Sequence, residues 1–440
     1  MTALDVYRDD TLVGHLRDTD DTVEFEYAAE YLVHIARPIS ASLPLDPSRT
    51  KGPRPKAFFG NLLPEGEIRD ALCRSYKVDS SDDLGLLSHI GAECAGALAI
   101  LPQGERPIPE DAAFERRYVA LEDAYDFGQY IQALQGSPSA NFKGVPTRMS
   151  LAGAQSKTVV ARFNDEKIYR SIGGATTHII KIGSRLNQRG EELFPGVVFN
   201  EYFCSRLAHA CSLRIHYTEM LPYQTFRDGP SEYVFCIERY DRSIKYSTKH
   251  VTRFHQEDFC QALGRPRTQK YEARGGISLA DMFSFIRDPD QIVIPATSQQ
   301  MLLEAILFNL IIGNRDAHAK NYSLMRSGFK AELAPLYDLV CTEAYDNIDR
   351  SLPQNIGNAE HFETITRQDF STLSEQVAIR PNAIIRMALR LCNDIEAGIH
   401  ETIAAMKPEP FFSTAAATID KITTIIERNI AVVRGLLKKT

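Results

Sequence analysis

Residues Asp316 to Asn321 read Asp-Ala-His-Ala-Lys-Asn, and a second acid, Asp338 of Leu336-Tyr337-Asp338-Leu339, follows 22 positions after Asp316. An acid, an amide five residues on and another acid about twenty further is the spacing at which kinases set a catalytic base and two metal ligands. The attacking hydroxyl needs a carboxylate in line to accept its proton, and a divalent cation needs hard oxygen ligands beside phosphate groups. Asp316 suits the first task; Asn321 and Asp338 suit the second. Such a set constrains the fold, because the chain must leave a helix, form a loop, run a strand and return to the same point. Read alone, Asn314, Asp316 and Asn321 are also what an ordinary turn after a helix contains.

The rest of the chain is compatible with an enzyme of that kind. Its 440 residues, 44% hydrophobic and 24% charged, are enough for two or three domains with a sizeable core. A net charge of -7 argues against nucleic acid as the main ligand of the whole surface. A local basic region, Lys245, Lys249 and Arg253 with Arg265, Arg267, Lys270 and Arg274, is either a contact for a phosphate backbone or a solvated face. Eight scattered cysteines without a C-x-x-C pair predict reduced core residues in a cytoplasmic protein. The amino terminus lacks a basic-then-apolar leader, and no apolar run reaches the roughly eighteen residues of a membrane span. No membrane partner is expected.

Strand-like alternation at 3–17 and 22–27 opens the chain. A Pro/Lys/Arg linker at 47–56, helices at 65–74 and 81–90 and an apolar strand at 97–101 complete a small α+β unit, residues 1–105. From 106 to 245 the pattern is mixed: a helix at 121–134, strands at 158–163, 167–171, 177–182, 216–221 and 233–239, and a helix at 197–211. From 246 to 440 helices dominate, including 302–312 before the Asp316 loop and amphipathic runs at 382–405 and 415–438.

Within the middle unit, Ser150-Leu151-Ala152-Gly153-Ala154-Gln155-Ser156-Lys157 runs straight into a strand. Small residues let backbone N–H groups approach phosphate oxygens, and Lys157 adds positive charge; the same loop is equally a tight turn, and it is not a Walker sequence. Lys181 ends an apolar strand and Glu201 lies early in the next helix, a separation that permits an ion pair holding the lysine toward phosphates. The strand ending at Glu238-Arg239-Tyr240 can offer backbone groups to the edge of an adenine, or simply end at the surface. His318 is a candidate for a bond to the loop or to a phosphate.

Together these motifs resemble the HipA family of serine/threonine kinases, toxins of bacterial toxin–antitoxin pairs. The resemblance runs through Asn61-Leu62-Leu63-Pro64, Ser150–Thr158, Thr177–Lys181, Asn200-Glu201-Tyr202, Glu238–Arg242, Gln256-Glu257-Asp258, Gly313–Asn321 and Tyr337-Asp338. Arg315 before the acid and Ser156 before the loop lysine depart from the family pattern. The resemblance implies a two-lobed α+β protein-kinase-like fold with an N-terminal α+β subdomain and an all-helical C-terminal lobe. It implies that Asp316 and His318 are catalytic, and that Asn321 and Asp338 hold Mg²⁺. ATP would be held by Ala152, Gly153, Ala154, Gln155, Ser156, Lys157, Lys181, Glu201, Glu238, Arg239, Tyr240, His318, Ala319, Lys320, Asn321 and Tyr337. Ser150 would be the self-phosphorylated serine. The implied partners are a small DNA-binding, HipB-like antitoxin, operator DNA through the joint complex, and a protein substrate of the aminoacyl-tRNA synthetase class. A small-molecule or lipid kinase and a catalytically silent scaffold are the alternatives.

Overall fold

The structure, a computed structural model, describes residues 2–19, 22–46, 51–136, 141–142, 145–146, 157–165, 167–183, 192–290, 292–346 and 348–438. The opening strands form a four-stranded antiparallel sheet in the order Thr22–Tyr27, Thr11–Thr19, Ala3–Arg8, Leu98–Pro102. Their alternation turns Leu4, Val6, Leu16, Phe25 and Ile100 onto Phe58, Phe59 and Leu87 of the covering helices. Each such fully buried side chain contributes roughly 1.5–3 kcal/mol. The expected linker at 47–56 is corrected by a helix, Pro53–Gly60. Proline fixes the helical φ and lacks an N–H that the first turn would leave unpaired, so Pro53 starts a helix where its composition suggested a connection.

Six antiparallel strands follow in the order Thr218–Tyr223, Glu232–Glu238, His178–Lys181, Lys157–Arg162, Ile168–Ser171, Tyr118–Leu121. On one face Val160, Ile180, Val234 and Cys236 pack against Phe127 and Ile131 of helix Ala124–Gly136. On the other, Phe235 and Ile237 share a core with Phe203 and Leu207 of helix Val197–Ala210. Successive side chains alternate, so Lys181 takes the face opposite Ile180, the face on which the helix carrying Glu201 lies.

In the carboxyl-terminal lobe the helix Ala296–Ile312 is buried nearly all round, enclosed by Pro381–Met406 and Phe412–Lys438. It ends at Gly313, φ +78°, where an added Cβ would lie 2.8 Å from Glu343 Oε2. That left-handed residue suits glycine and turns the chain into the Asn314–Asn321 loop. Two small sheets accompany the helices where helices alone were expected: His255–Asp258 with Ser323–Ser327 and Lys330–Leu333, and Ser351–Ile356 with Ala359–His361. The first includes the hairpin that brings the chain back from the loop to Asp338.

The basic residues at 245–274 do not form one free face. Arg253 pairs with Glu93 (3.0 Å), Arg267 with Asp83 (3.3 Å), Lys270 with Glu65 (2.6 Å) and Lys249 with Asp165. Carboxylates from elsewhere in the chain thus pair with four of the seven.

Candidate active site

The loop after Gly313 is held from both sides. Asn314 donates to Asn309 Oδ1 (2.8 Å) and to the carbonyl of Asp338 (3.0 Å), and its own Oδ1 accepts from the backbone N–H of Asp316 (3.1 Å). One buried amide therefore joins the loop to the second acid. Asp338 has φ +54°, a left-handed conformation that Asp tolerates better than most residues. Its carboxylate pairs with Lys181, which also pairs with Glu201.

Lys181 and Lys157 face each other in register on neighbouring strands. Two ammonium groups so placed repel unless acids lie between them. Burial works against the charge on Lys181, but Asp338 and Glu201 outweigh it and hold its pKa above the usual value. Burial likewise opposes the Asp338 carboxylate, and Lys181 and Lys157 overcome it, leaving its pKa well below normal. Glu201 goes the other way: burial raises it to about 7, with Lys181 offsetting only part. Lys157 has no ion pair among the described residues, and burial lowers its pKa.

A cavity of about 600 Å³ opens above these groups, between the sheet and the carboxyl-terminal lobe. Its apolar part is bordered by Ile179, Ile237 and Val340, with Tyr240 and Tyr337 stacked at 5.8 Å between ring centroids. The backbone N–H and C=O of Tyr240 make no main-chain hydrogen bond to the described residues, so both remain for a flat heterocycle. At the polar part lie Lys157, Lys181, Asp316, Asn321 and Asp338. Asp316 is open to solvent by area, yet the crowding cleft walls raise its pKa, while the Tyr271 hydroxyl donates to it and opposes the rise. The amino-terminal unit supplies Asn61 and Glu65 to the wall. Lys320 donates to the carbonyl and Oδ1 of Asn61, both at 2.8 Å.

Residues 149–399 match the family described as HipA-like C-terminal domain, and residues 4–101 match the HipA N-terminal domain. The chain belongs to the HipA family. It is similar to the putative kinase Y4mE of Sinorhizobium fredii, 34% identical over 86% of both chains. Its similarity to the serine/threonine-protein kinase toxin HipA of Shewanella oneidensis is 28% identity over 92% of this chain and 90% of that one. The solved complex of Shewanella oneidensis HipA, HipB and operator DNA superposes with a TM-score of 0.81 at 26% identity, covering 99% of this chain and 98% of the other. This HipA-family protein is a serine/threonine protein kinase, a class that uses ATP and a divalent metal.

Lys157, Lys181, Glu238, Arg239, Tyr240, Asp316, His318, Lys320, Asn321, Tyr337 and Asp338 all border the one cavity. Glu201 stands behind Lys181 without bordering it, and Ala319 is turned away, its N–H bonded to the carbonyl of Lys270 (3.2 Å). The Arg239 guanidinium is bound up by Glu93, Asp241, Thr176 and the carbonyl of Cys94, so it is no free donor. His318 is buried, its Nδ1 has no partner among the described residues, and burial drops its pKa to about 3, which makes it a neutral imidazole. Ser150 and Ala152–Ser156 lie outside the described residues.

No group of three His, Cys, Asp or Glu suited to a metal occurs among the described residues. Two oxygen ligands, Asp338 and an Asn321 amide without a protein partner among the described residues, nevertheless fit Mg²⁺, which completes its shell with water and phosphate. Sequence reasoning missed Tyr271 and the Lys270–Glu65 pair. Nothing in their spacing pointed to the site; only Asn61 carried a motif signal.

Proposed function

We propose that this kinase is the toxin of a toxin–antitoxin pair, which transfers the γ-phosphoryl group of ATP to a serine or threonine of a translation component. An aminoacyl-tRNA synthetase is the substrate class that the family resemblance favours. The reading rests above all on one observation: Asp316, Asp338 and Lys181 border one cavity, with Lys181 already ion-paired to Asp338.

In this mechanism the Tyr240 backbone and the Tyr240–Tyr337 stack hold the adenine, and Lys157 and Lys181 hold the phosphates. Mg²⁺ held by Asp338 and Asn321 would neutralise charge on the phosphates. Asp316 accepts the proton of the incoming hydroxyl as its oxygen bonds to the γ-phosphorus and the bond to the β-phosphate oxygen breaks. Lys181 changes counterion: Asp338 releases it, and Glu201 remains to keep it charged and aimed.

Phosphorylation of Ser150 would switch the enzyme off. A group of charge about -1.5 to -2, seven residues ahead of Lys157, competes for that cation and repels ATP. A HipB-like antitoxin binds the kinase in the cytoplasm, and the complex represses its own operator. The named complex of the Shewanella relative supports this partner. Incubation with γ-labelled ATP tests the reading: wild type should label itself, and Ser150→Ala should lose that label while continuing to arrest growth. Label on Ser156 in that variant moves the switch; label on a lipid or metabolite instead of protein overturns the protein-kinase substrate.

A further inference from the structure

The carboxylate assigned as base has a partner that its sequence spacing does not mark. The Tyr271 hydroxyl donates to Asp316 Oδ1. No other side-chain donor to this carboxylate occurs among the described residues. Resting on the reading above, we propose that Tyr271 is a positioning residue: it occupies one oxygen of Asp316 and leaves the other to take the substrate proton.

Tyr271 is not a mobile side chain that happens to reach the base. Its carbonyl accepts from the N–H groups of Arg274 (3.2 Å) and Gly276 (3.1 Å), and the preceding carbonyl, of Lys270, accepts from Ala319 (3.2 Å) within the catalytic loop itself. The ring stands edge-on to His318, 5.0 Å between centroids. Lys270, beside it, is fastened to Glu65 of the amino-terminal unit (2.6 Å). A phenol so fixed, with a pKa pushed well above normal by burial and by Asp316, remains a proton donor throughout the working range. It therefore holds the carboxylate without competing for the proton that Asp316 must accept. It also favours the ionised form of the base, counteracting the rise that the cleft walls impose. The other charged groups facing Asp316 are Lys270, Asp338 and Glu65.

The test is Tyr271→Phe in the full chain, which keeps the ring against His318 and removes only the donor. Initial rates of self-labelling from γ-labelled ATP at saturating concentration should fall about tenfold to a hundredfold, as when an orienting partner is removed from a reactive group. The Kd for ATP, measured by calorimetry, should stay within about twofold if binding geometry is intact. The acid limb of the rate profile should move to higher pH by roughly one unit, since a carboxylate that loses a donor holds its proton longer. An unmoved limb with any fall in rate would mean that the tyrosine merely supports the loop, and the inference fails. A wild-type rate and limb, with Asp316→Asn inactive, removes Tyr271 alone from the mechanism. Continued labelling by Asp316→Asn instead removes the base assignment, and this inference with it.

Discussion

Two buried ionic clusters in this chain are built from the same kinds of charge and behave as opposites. In the first, Arg239, Arg242 and Arg253 surround Glu93 and Asp241 where the amino-terminal unit meets the turn after strand Glu232–Glu238. Glu93 Oε1 accepts from Thr176 (2.7 Å), Arg239 (2.8 Å) and Arg242 (2.9 Å), and Oε2 from Arg253 (3.0 Å). Asp241 accepts from Arg239 and from the backbone of Gly96 (2.6 Å). No carboxylate oxygen there is left unpaired. In the second, Lys181 serves both Glu201 and Asp338, Glu201 Oε2 is buried without a partner, and Lys157 has no counterion among the described residues. Arginine's rigid fork closes a network; a lysine ammonium holds one that has to exchange partners. The first cluster holds the units together, and the second is left incomplete for a ligand to finish.

The largest effects should separate the two. Asp316→Asn, at the open cluster's edge, should cut phosphoryl transfer by about a hundredfold to ten-thousandfold, the range for a lost general base. Its urea unfolding midpoint and ATP affinity should stay near wild type. Comparable self-labelling by that variant would break the division between a working and a holding cluster.

Arg239→Met acts on the closed cluster. It leaves Glu93 and Asp241 buried with too few donors, a change that costs about 3–5 kcal/mol in buried networks. Urea unfolding should show that loss as a lower midpoint, with the activity of the remaining folded fraction changed far less than in the Asp316 variant. If the midpoint hardly moves while transfer disappears, Arg239 belongs with the nucleotide-binding residues rather than with the closed cluster.

This contrast was only half legible in the sequence. That Asp316, Asn321, Asp338 and Lys181 would share one cavity could be anticipated, because phosphoryl transfer imposes residue type and spacing together and an apolar strand that ends in lysine is conspicuous. The strands around Lys181 could be read from alternation although their order in the sheet could not, and most predicted elements lie within a few residues of the observed ones. Arg239 sits inside the same motif as Tyr240, and no local pattern distinguishes a side chain that grips Glu93, 146 residues away, from one that faces the cavity. Tyr271 was invisible for the same reason: its partner is 45 residues distant, on a different segment. Pro53 misled because proline marks both linkers and first helical turns. The pairing within the basic stretch at 245–274 was equally illegible, because the counterions of Lys249, Arg253, Arg267 and Lys270, namely Asp165, Glu93, Asp83 and Glu65, come from remote parts of the chain. What local chemistry determines could be read; what tertiary pairing determines could not.

The smallest effect is also the sharpest, because the two clusters should answer pH with opposite signs. Glu201 has a folded pKa raised to about 7 by burial, above the unfolded value near ~4.3, so the folded state holds its proton more tightly. Its contribution to stability is therefore complete below the unfolded value and is lost as pH rises through about 7. Glu93 is held down to about 2; burial opposes its charge, but Arg253, Arg242 and Arg239 prevail. Its contribution is present above the unfolded value and is lost as pH falls through about 2. Unfolding free energies of wild type minus Glu201→Gln should thus decline between about pH 5 and 7.5, by roughly 1–3 kcal/mol. The same difference for Glu93→Gln should be flat there and fall only in acid. Slopes of one sign for both glutamates would mean that Lys181 compensates Glu201 as fully as the arginines compensate Glu93, and the open cluster would be no more poised for a ligand than the closed one.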